Sequence, residues 1–140
     1  TLAMNPIMGL SKPQDWEVHM IEHQLGAYTD CAHGMGLAAV SLPYYRYIYK
    51  FGLDKFVRFA KQVWGIDETG KTKEAVALEG IDAMESFIRE CGIVTSLKEL
   101  GATEEMLPLI ANSTVLLAGG YKVLTAEEVL EILKTAYAAV

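Results

Sequence analysis

Apolar residues return every third or fourth position along most of this chain, the period of a helix that buries one face. Two-residue alternation over a strand length is confined to one short aromatic run, so the domain reads as all-α. After a loose start punctuated by Pro6, Gly9 and Pro13, Asp15 can cap a helix from about Trp16 to Tyr28, with Trp16, Met20, His23 and Ala27 on adjacent turns. A second helix is expected from about His33 through Leu37, Ala38, Val40 and Leu42, with Pro43 kinking or interrupting it. The run from Tyr44 to Phe51 alternates enough for an edge strand. The helical pattern leading into it favours a continued helix that buries Tyr44, Ile48 and Phe51.

Gly52 then breaks the chain before a helix from about Asp54 to Trp64 carrying Phe56, Phe59, Ala60 and Val63 at helical spacing. The longest helix is expected from about Thr72 to Cys91, burying Leu78, Ile81, Met84, Ile88 and Cys91 and turning Glu79, Asp82, Glu85 and Arg89 to water. Three capping signals follow. Ser96 with Glu99 predicts a short helical turn, Thr103 a helix through Asn112, and Thr125 with Glu128 a last helix from about Ala126 to Ala139 burying Val129, Leu130, Ile132, Leu133 and Tyr137. Gly119-Gly120 supplies the turn before that helix, and no lysine-serine phosphate-loop pattern accompanies it.

Composition narrows the function. At 140 residues and 51% hydrophobic, the chain can bury one core without staples. Twelve basic against eighteen acidic residues leave a net charge of −6, which repels phosphate backbones and anionic lipid, so nucleic acid is not expected as a partner. The aromatic and basic residues of the Tyr44 to Phe51 run are accordingly read as core packing. The longest apolar runs, Val115 to Gly120 and Gly36 to Pro43, fall well short of the roughly 20 residues of a membrane helix, and no membrane association is expected. Cys31 and Cys91 make no C-x-x-C pair, which suits buried thiols in a reducing, cytoplasmic compartment. Opening on Thr-Leu-Ala-Met without a signal segment, the chain reads as part of a longer protein.

The three histidines, His19, His23 and His33, all fall within one short stretch. Neutral imidazole suits a borderline transition metal, and histidines four apart share a helix face with Cβ atoms roughly 5 to 6 Å apart. His33 opens the next helix after a turn, so two helices form a corner able to hold an ion between them. Spacing alone leaves open whether His19 or His23 is the partner of His33. Two or three imidazoles would leave coordination positions open for substrate, as catalytic metals require. A thiolate ligand from Cys31 is a weaker reading than a small apolar filler.

A competing motif overlaps the same residues. His19-Met20-Ile21-Glu22-His23 matches H-x-x-E-H, the inverted zinc-protease signature, in which both histidines bind zinc and the glutamate activates water. That reading leaves His33 unused and needs a further carboxylate, for which Glu74, Glu79 or Glu85 would be arbitrary. Glu22 is otherwise a polar helix residue or an acceptor that orients an imidazole. A helical interaction module with incidental histidines is the third reading.

The stretch Asp15-Trp16-Glu17-Val18-His19-Met20-Ile21-Glu22-His23-Gln24-Leu25, then Asp30, then His33-Gly34-Met35-Gly36-Leu37-Ala38 with Pro43 beyond, resembles the iron-containing (group III) alcohol dehydrogenases, in their butanol-dehydrogenase-like branch. Gly65-Ile66, the long helix after it and the ending Gly120-Tyr121-Lys122-Val123-Leu124-Thr125-Ala126-Glu127-Glu128-Val129 extend the likeness over essentially the whole chain. The resemblance implies the C-terminal multi-helix domain of the dehydroquinate synthase-like fold, with residues 1–140 as its metal-binding part and the N-terminal NAD(P)-binding domain absent. It implies His19 and His33 as two ligands of a divalent metal, Fe2+ or Zn2+. It places His23 beside the nicotinamide and substrate, as a catalytic residue that helps move a proton. An aspartate and another histidine ligand would come from sequence ahead of this chain. The implied reaction is reversible hydride transfer between a primary alcohol, or its aldehyde, and NAD(P), in a homo-oligomeric (dimeric) cytoplasmic parent. The isolated chain is expected to be inactive.

Overall fold

The computed structural model describes residues 14–139; the loose start expected around Pro6, Gly9 and Pro13 lies outside them. Six α-helices follow in order among the described residues: α1 (Glu17–Thr29), α2 (His33–Ile48), α3 (Leu53–Trp64), α4 (Lys73–Glu90), α5 (Met106–Ser113) and α6 (Ala126–Ala138). A 3-10 turn, Tyr49–Gly52, joins α2 to α3. No strand occurs among the described residues, and no helix is long and apolar enough to cross a membrane.

The helix α2 is the axis of the arrangement. It touches α1 and α6 on one side and α4 on the other, while α3 pairs with α4, and α5 with both α1 and α6. Its sequence explains this position. Gly36, Ala39, Val40, Ser41, Leu42, Pro43, Tyr44 and Ile48 are all buried, on more than one face, as expected of a helix with few charges. Two apolar clusters result. The larger joins Ile21 and Leu25 of α1 to Val40 and Tyr44 of α2, Leu107 and Ile110 of α5, and Val129 and Leu133 of α6. The smaller joins Leu42 of α2 to Val57 and Ala60 of α3 and to Val76, Ala77, Ile81 and Ile88 of α4.

Polar locks tie the outer helices to this axis. Arg46 donates to Asp82 and Glu85 of α4 at 2.7 Å each. Tyr47 donates to Glu128 at 2.9 Å, and Glu128 also closes the capping box with Thr125 that starts α6. Thr72 caps α4 by accepting from the Ala75 amide at 3.2 Å.

Several expectations are corrected. Pro43 does not interrupt α2; the helix runs through it, giving up the amide bond that residue 43 would make to Ala39. Phe51 is exposed rather than part of a buried stripe, because the tighter 3-10 turn shifts the helical phase after Ile48. On α1 the buried face, for which spacing gave no expectation, is Glu17, Ile21, Glu22 and Leu25. On α3 the expected Ala60 is buried, together with Val57; Phe56 and Phe59 are half-buried and Val63 is exposed. On α4, Cys91 is exposed at the helix end, Leu78 and Met84 are half-buried, and Val76, Ala77 and Gly80 share the buried face with Ile81 and Ile88. Glu79 and Glu85 are half-buried in ion pairs with Lys71 and Arg46. Cys31 is half-buried, so neither thiol is fully enclosed. Leu130 and Tyr137 of α6 are half-buried, and Ala136 is buried in addition to the expected residues.

After Ser96 the chain makes a hydrogen-bonded turn over residues 97–101, with the Gly101 amide donating to the Lys98 carbonyl at 3.0 Å, but no α-helix. The Ser96 side chain is buried, the Leu97 amide donates to the Ala136 carbonyl at 3.3 Å, and the segment turns at Gly101 with φ +86°. The helix expected to start at Thr103 begins three residues later, at Met106.

Candidate metal centre

The corner between α1 and α2 is set by Asp30. It takes the left-handed conformation, φ 55°, that ends α1, and its amide donates to the Gly26 carbonyl at 2.8 Å. Thr29 turns its hydroxyl back to the Leu25 carbonyl at 2.9 Å. Ala32 is extended, and α2 starts at His33. The opposite end of α1 is fixed by Asp15, whose carboxylate accepts from the Glu17 amide at 3.0 Å and from the Tyr44 hydroxyl at 2.8 Å. Burial, then this bond, push the Tyr44 phenol well above its ordinary range, so it remains a donor.

The fold brings all three predicted histidines together. Ring centroids lie 6.1 Å apart for His19 and His23, 5.5 Å for His19 and His33, and 5.6 Å for His23 and His33. His23 and His33 are exposed, while His19 is half-buried with its ring 5.0 Å from that of Trp16. Desolvation, then the neighbouring His33 and His23, hold the His19 imidazole below its ordinary pKa, against an opposing pull from Glu22. A neutral imidazole is the form a metal requires.

Glu22 is the residue that the sequence left ambiguous. It is 2% exposed, and its Oε2 contacts His33 Nδ1. Donor atoms of Glu22, His23 and His33 all lie within 4.8 Å of one another, close enough for one ion; His19 completes the triangle of rings without a nitrogen in that tighter group. The donor set of imidazoles and a carboxylate suits iron or zinc. Glu74 and Glu79 belong to α4, and Glu85 is held by Arg46 and Arg89, so none joins the histidines in this group.

A cleft of about 510 Å³ opens beside His19. Trp16, Val18, Leu37, Tyr44 and Tyr121 are among its walls, so an apolar hollow adjoins the imidazole cluster. The loop that supplies Tyr121 is pinned to the start of α1. A Cβ on Gly119 would lie 1.8 Å from the Gln14 carbonyl oxygen, and one on Gly120 2.7 Å from the Asp15 carboxylate. Glu17, 3% exposed, accepts from the Leu117 amide at 2.8 Å, whereas its Oε1 finds no hydrogen-bond partner among the described residues. Sequence reasoning missed this clamp. The glycine pair was its only visible signal, and it read as a turn.

Residues 1–137 match the Fe-containing alcohol dehydrogenase family, C-terminal. NADH-dependent butanol dehydrogenase A of Clostridium acetobutylicum is 37% identical over 98% of this chain and 36% of its own length. NADPH-dependent aldehyde reductase of Escherichia coli is 30% identical over 79% of this chain and 28% of its own. The solved structure of NADH-dependent butanol dehydrogenase A from Thermotoga maritima superposes with a TM-score of 0.84 at 35% identity, over 97% of this chain and 36% of that one. The chain thus spans about a third of the length of these relatives. The whole-chain family match, the all-helical fold and the relatives agree: this chain belongs to the iron-containing alcohol dehydrogenase family.

Proposed function

We infer that the chain is the helical, metal-binding part of an NAD(P)-linked alcohol dehydrogenase that interconverts primary alcohols and aldehydes. The observation that carries this reading is the convergence of three imidazoles, 5.5 to 6.1 Å apart, on one helix corner in a member of this family. His19 and His33 would hold a divalent ion, Fe2+ or Zn2+, together with ligands from outside this chain. When bound, the ion supplies Lewis-acid polarisation of the substrate oxygen. His23, exposed and left unligated, carries the hydroxyl proton towards water or the cofactor ribose. Trp16, Leu37 and the other apolar walls of the adjoining cleft give His19 an apolar flank on which a substrate's hydrocarbon part would lie. The N-terminal part of the parent would bind NAD(P) and aim the hydride. The two free thiols suit a reducing, cytoplasmic setting.

The inverted zinc-protease reading asks Glu22 to face a water molecule. Its burial against His33 gives no support to that role.

The test is metal content and NAD(P)H-linked oxidation of short primary alcohols in the parent enzyme. His33→Ala is expected to lose both metal and activity, whereas His23→Ala keeps its metal and slows by about a hundredfold to ten-thousandfold. Full activity and unchanged metal in His33→Ala would overturn the assignment. The isolated chain is expected to show little activity.

A further inference from the structure

We propose that Glu22 is a positioning residue: its buried carboxylate fixes the proton of the His33 imidazole on Nδ1 and so leaves Nε2 as the nitrogen offered to an ion. The inference rests on the metal-site reading above, and two separate observations carry it. The first is the contact of Glu22 Oε2 with His33 Nδ1, made by a side chain almost wholly removed from water. An ionised carboxylate only accepts hydrogen bonds, so the ring nitrogen facing it must carry the proton. The second is the room kept for that carboxylate. A Cβ on Gly36 of α2 would lie 2.8 Å from both Cγ and Oε1 of Glu22 and 3.2 Å from Cys31 Sγ. One on Gly26, a turn further along α1, would lie 3.5 Å from the same Oε1.

A Cβ at Gly26 would be in ordinary contact, so it is Gly36, a residue disfavoured inside a helix, that makes room for the carboxylate. In that position Glu22 contacts the first residue of α2. Hydrogen bonding from a metal-binding histidine to a carboxylate fixes the ring orientation and raises ligand basicity.

Long-range ¹H–¹⁵N spectra of this chain, recorded without metal at mildly alkaline pH, read the tautomer of each histidine directly. The wild type is expected to show His33 with its proton on Nδ1. Glu22→Gln, whose amide oxygen still accepts, keeps that tautomer. Glu22→Ala loses it, as does Gly36→Ala, whose new methyl group displaces the carboxylate without removing it. The apparent affinity for Zn2+ alone is expected to fall about 10- to 100-fold in Glu22→Ala and much less in Glu22→Gln. Circular dichroism separates these effects from failure to fold, and Glu22→Gln with Gly36→Ala still decides the matter if Glu22→Ala does not fold. A wild-type His33 protonated on Nε2, or one tautomer shared by every variant, would overturn the inference. So would equal loss of zinc in Glu22→Gln and Glu22→Ala, which would mark Glu22 as a direct ligand. Zinc binding untouched by His33→Ala would instead end the metal-site reading and leave the tautomer result standing.

Discussion

The α3–α4 hairpin and the α1–α2 corner use charge in opposite ways. In the hairpin no charged residue is buried; Lys61 pairs with Glu68, Lys71 with Glu79 and Lys73 with Asp54 towards water, around an interior of Val57, Ala60, Val76, Ala77 and Ile81. The helix α1 instead buries two carboxylates, Glu17 and Glu22, beside Ile21 and Leu25. Burying a carboxylate costs several kcal/mol unless hydrogen bonds and opposite charge offset it, so the hairpin has the composition that stability alone would select. The corner does not. The buried acids of α1 hold the Leu117 loop, whose Tyr121 lines the cleft beside His19, and the His33 ring of the imidazole cluster.

The contrast breaks most readily at Ile81, which is fully buried. Ile81→Ala should lower the unfolding free energy by about 2–5 kcal/mol in denaturant titrations while leaving zinc affinity of the folded protein unchanged. Loss of zinc affinity alongside stability would show that the two regions are not separable. A smaller loss, about 1–3 kcal/mol, is expected for Gly80→Ala, because the new Cβ would lie 2.5 Å from Ala60 Cβ and 2.8 Å from its Cα. A stabilised variant would mean that α3 and α4 can part, and that helix propensity outweighs their close approach.

Glu17 sharpens the comparison through pH. Burial first, with help from the Asp15 charge, pushes its carboxyl above the ordinary 4.5 in spite of the hydrogen bond from Leu117. The folded state therefore binds that proton more tightly than the unfolded chain does. Its contribution to stability is fullest below the ordinary value and declines as pH rises from there through the raised one. Glu17→Gln should flatten the stability profile across that window, by at most about 1.4 kcal/mol per pH unit, and an identical profile would argue that Glu17 is not desolvated. The smallest effect belongs to Lys61→Ala. With its pair 37% and 55% exposed, the change should stay within about 1 kcal/mol and shrink further in high salt; a larger loss would put structural weight on the hairpin's surface charge.

Helix type and order were legible because apolar period and end signals agreed. Thr125 with Glu128 is such a case: the capping box is followed at once by Val129, Ile132 and Leu133, and the structure forms both of its reciprocal bonds. Ser96 with Glu99 has the same spacing but no such stripe behind it, and the segment is taken up by tertiary contacts instead. The imidazole cluster was equally legible, since His19 and His23 share a face of α1 and His33 opens the helix that packs against it. Which face of α1 is buried was not. Spacing placed Trp16, Met20, His23 and Ala27 on adjacent turns without saying which face is buried, and nothing local says that Glu22 would pack against a glycine fourteen residues later. Gly26 and Gly36, each an unfavourable choice for a helix interior, were the available clue.

The helix α2 starts with His33, and its later turns complete both apolar clusters. One inserted residue near its first turn would rotate everything before it by about 100° relative to everything after it. The imidazole would swing out of the corner, or two hydrophobic interfaces would have to turn with it. Chain length is therefore rigidly metered between residues 30 and 48, whereas the mostly exposed connection at 65–72 can absorb additions without re-aiming any histidine.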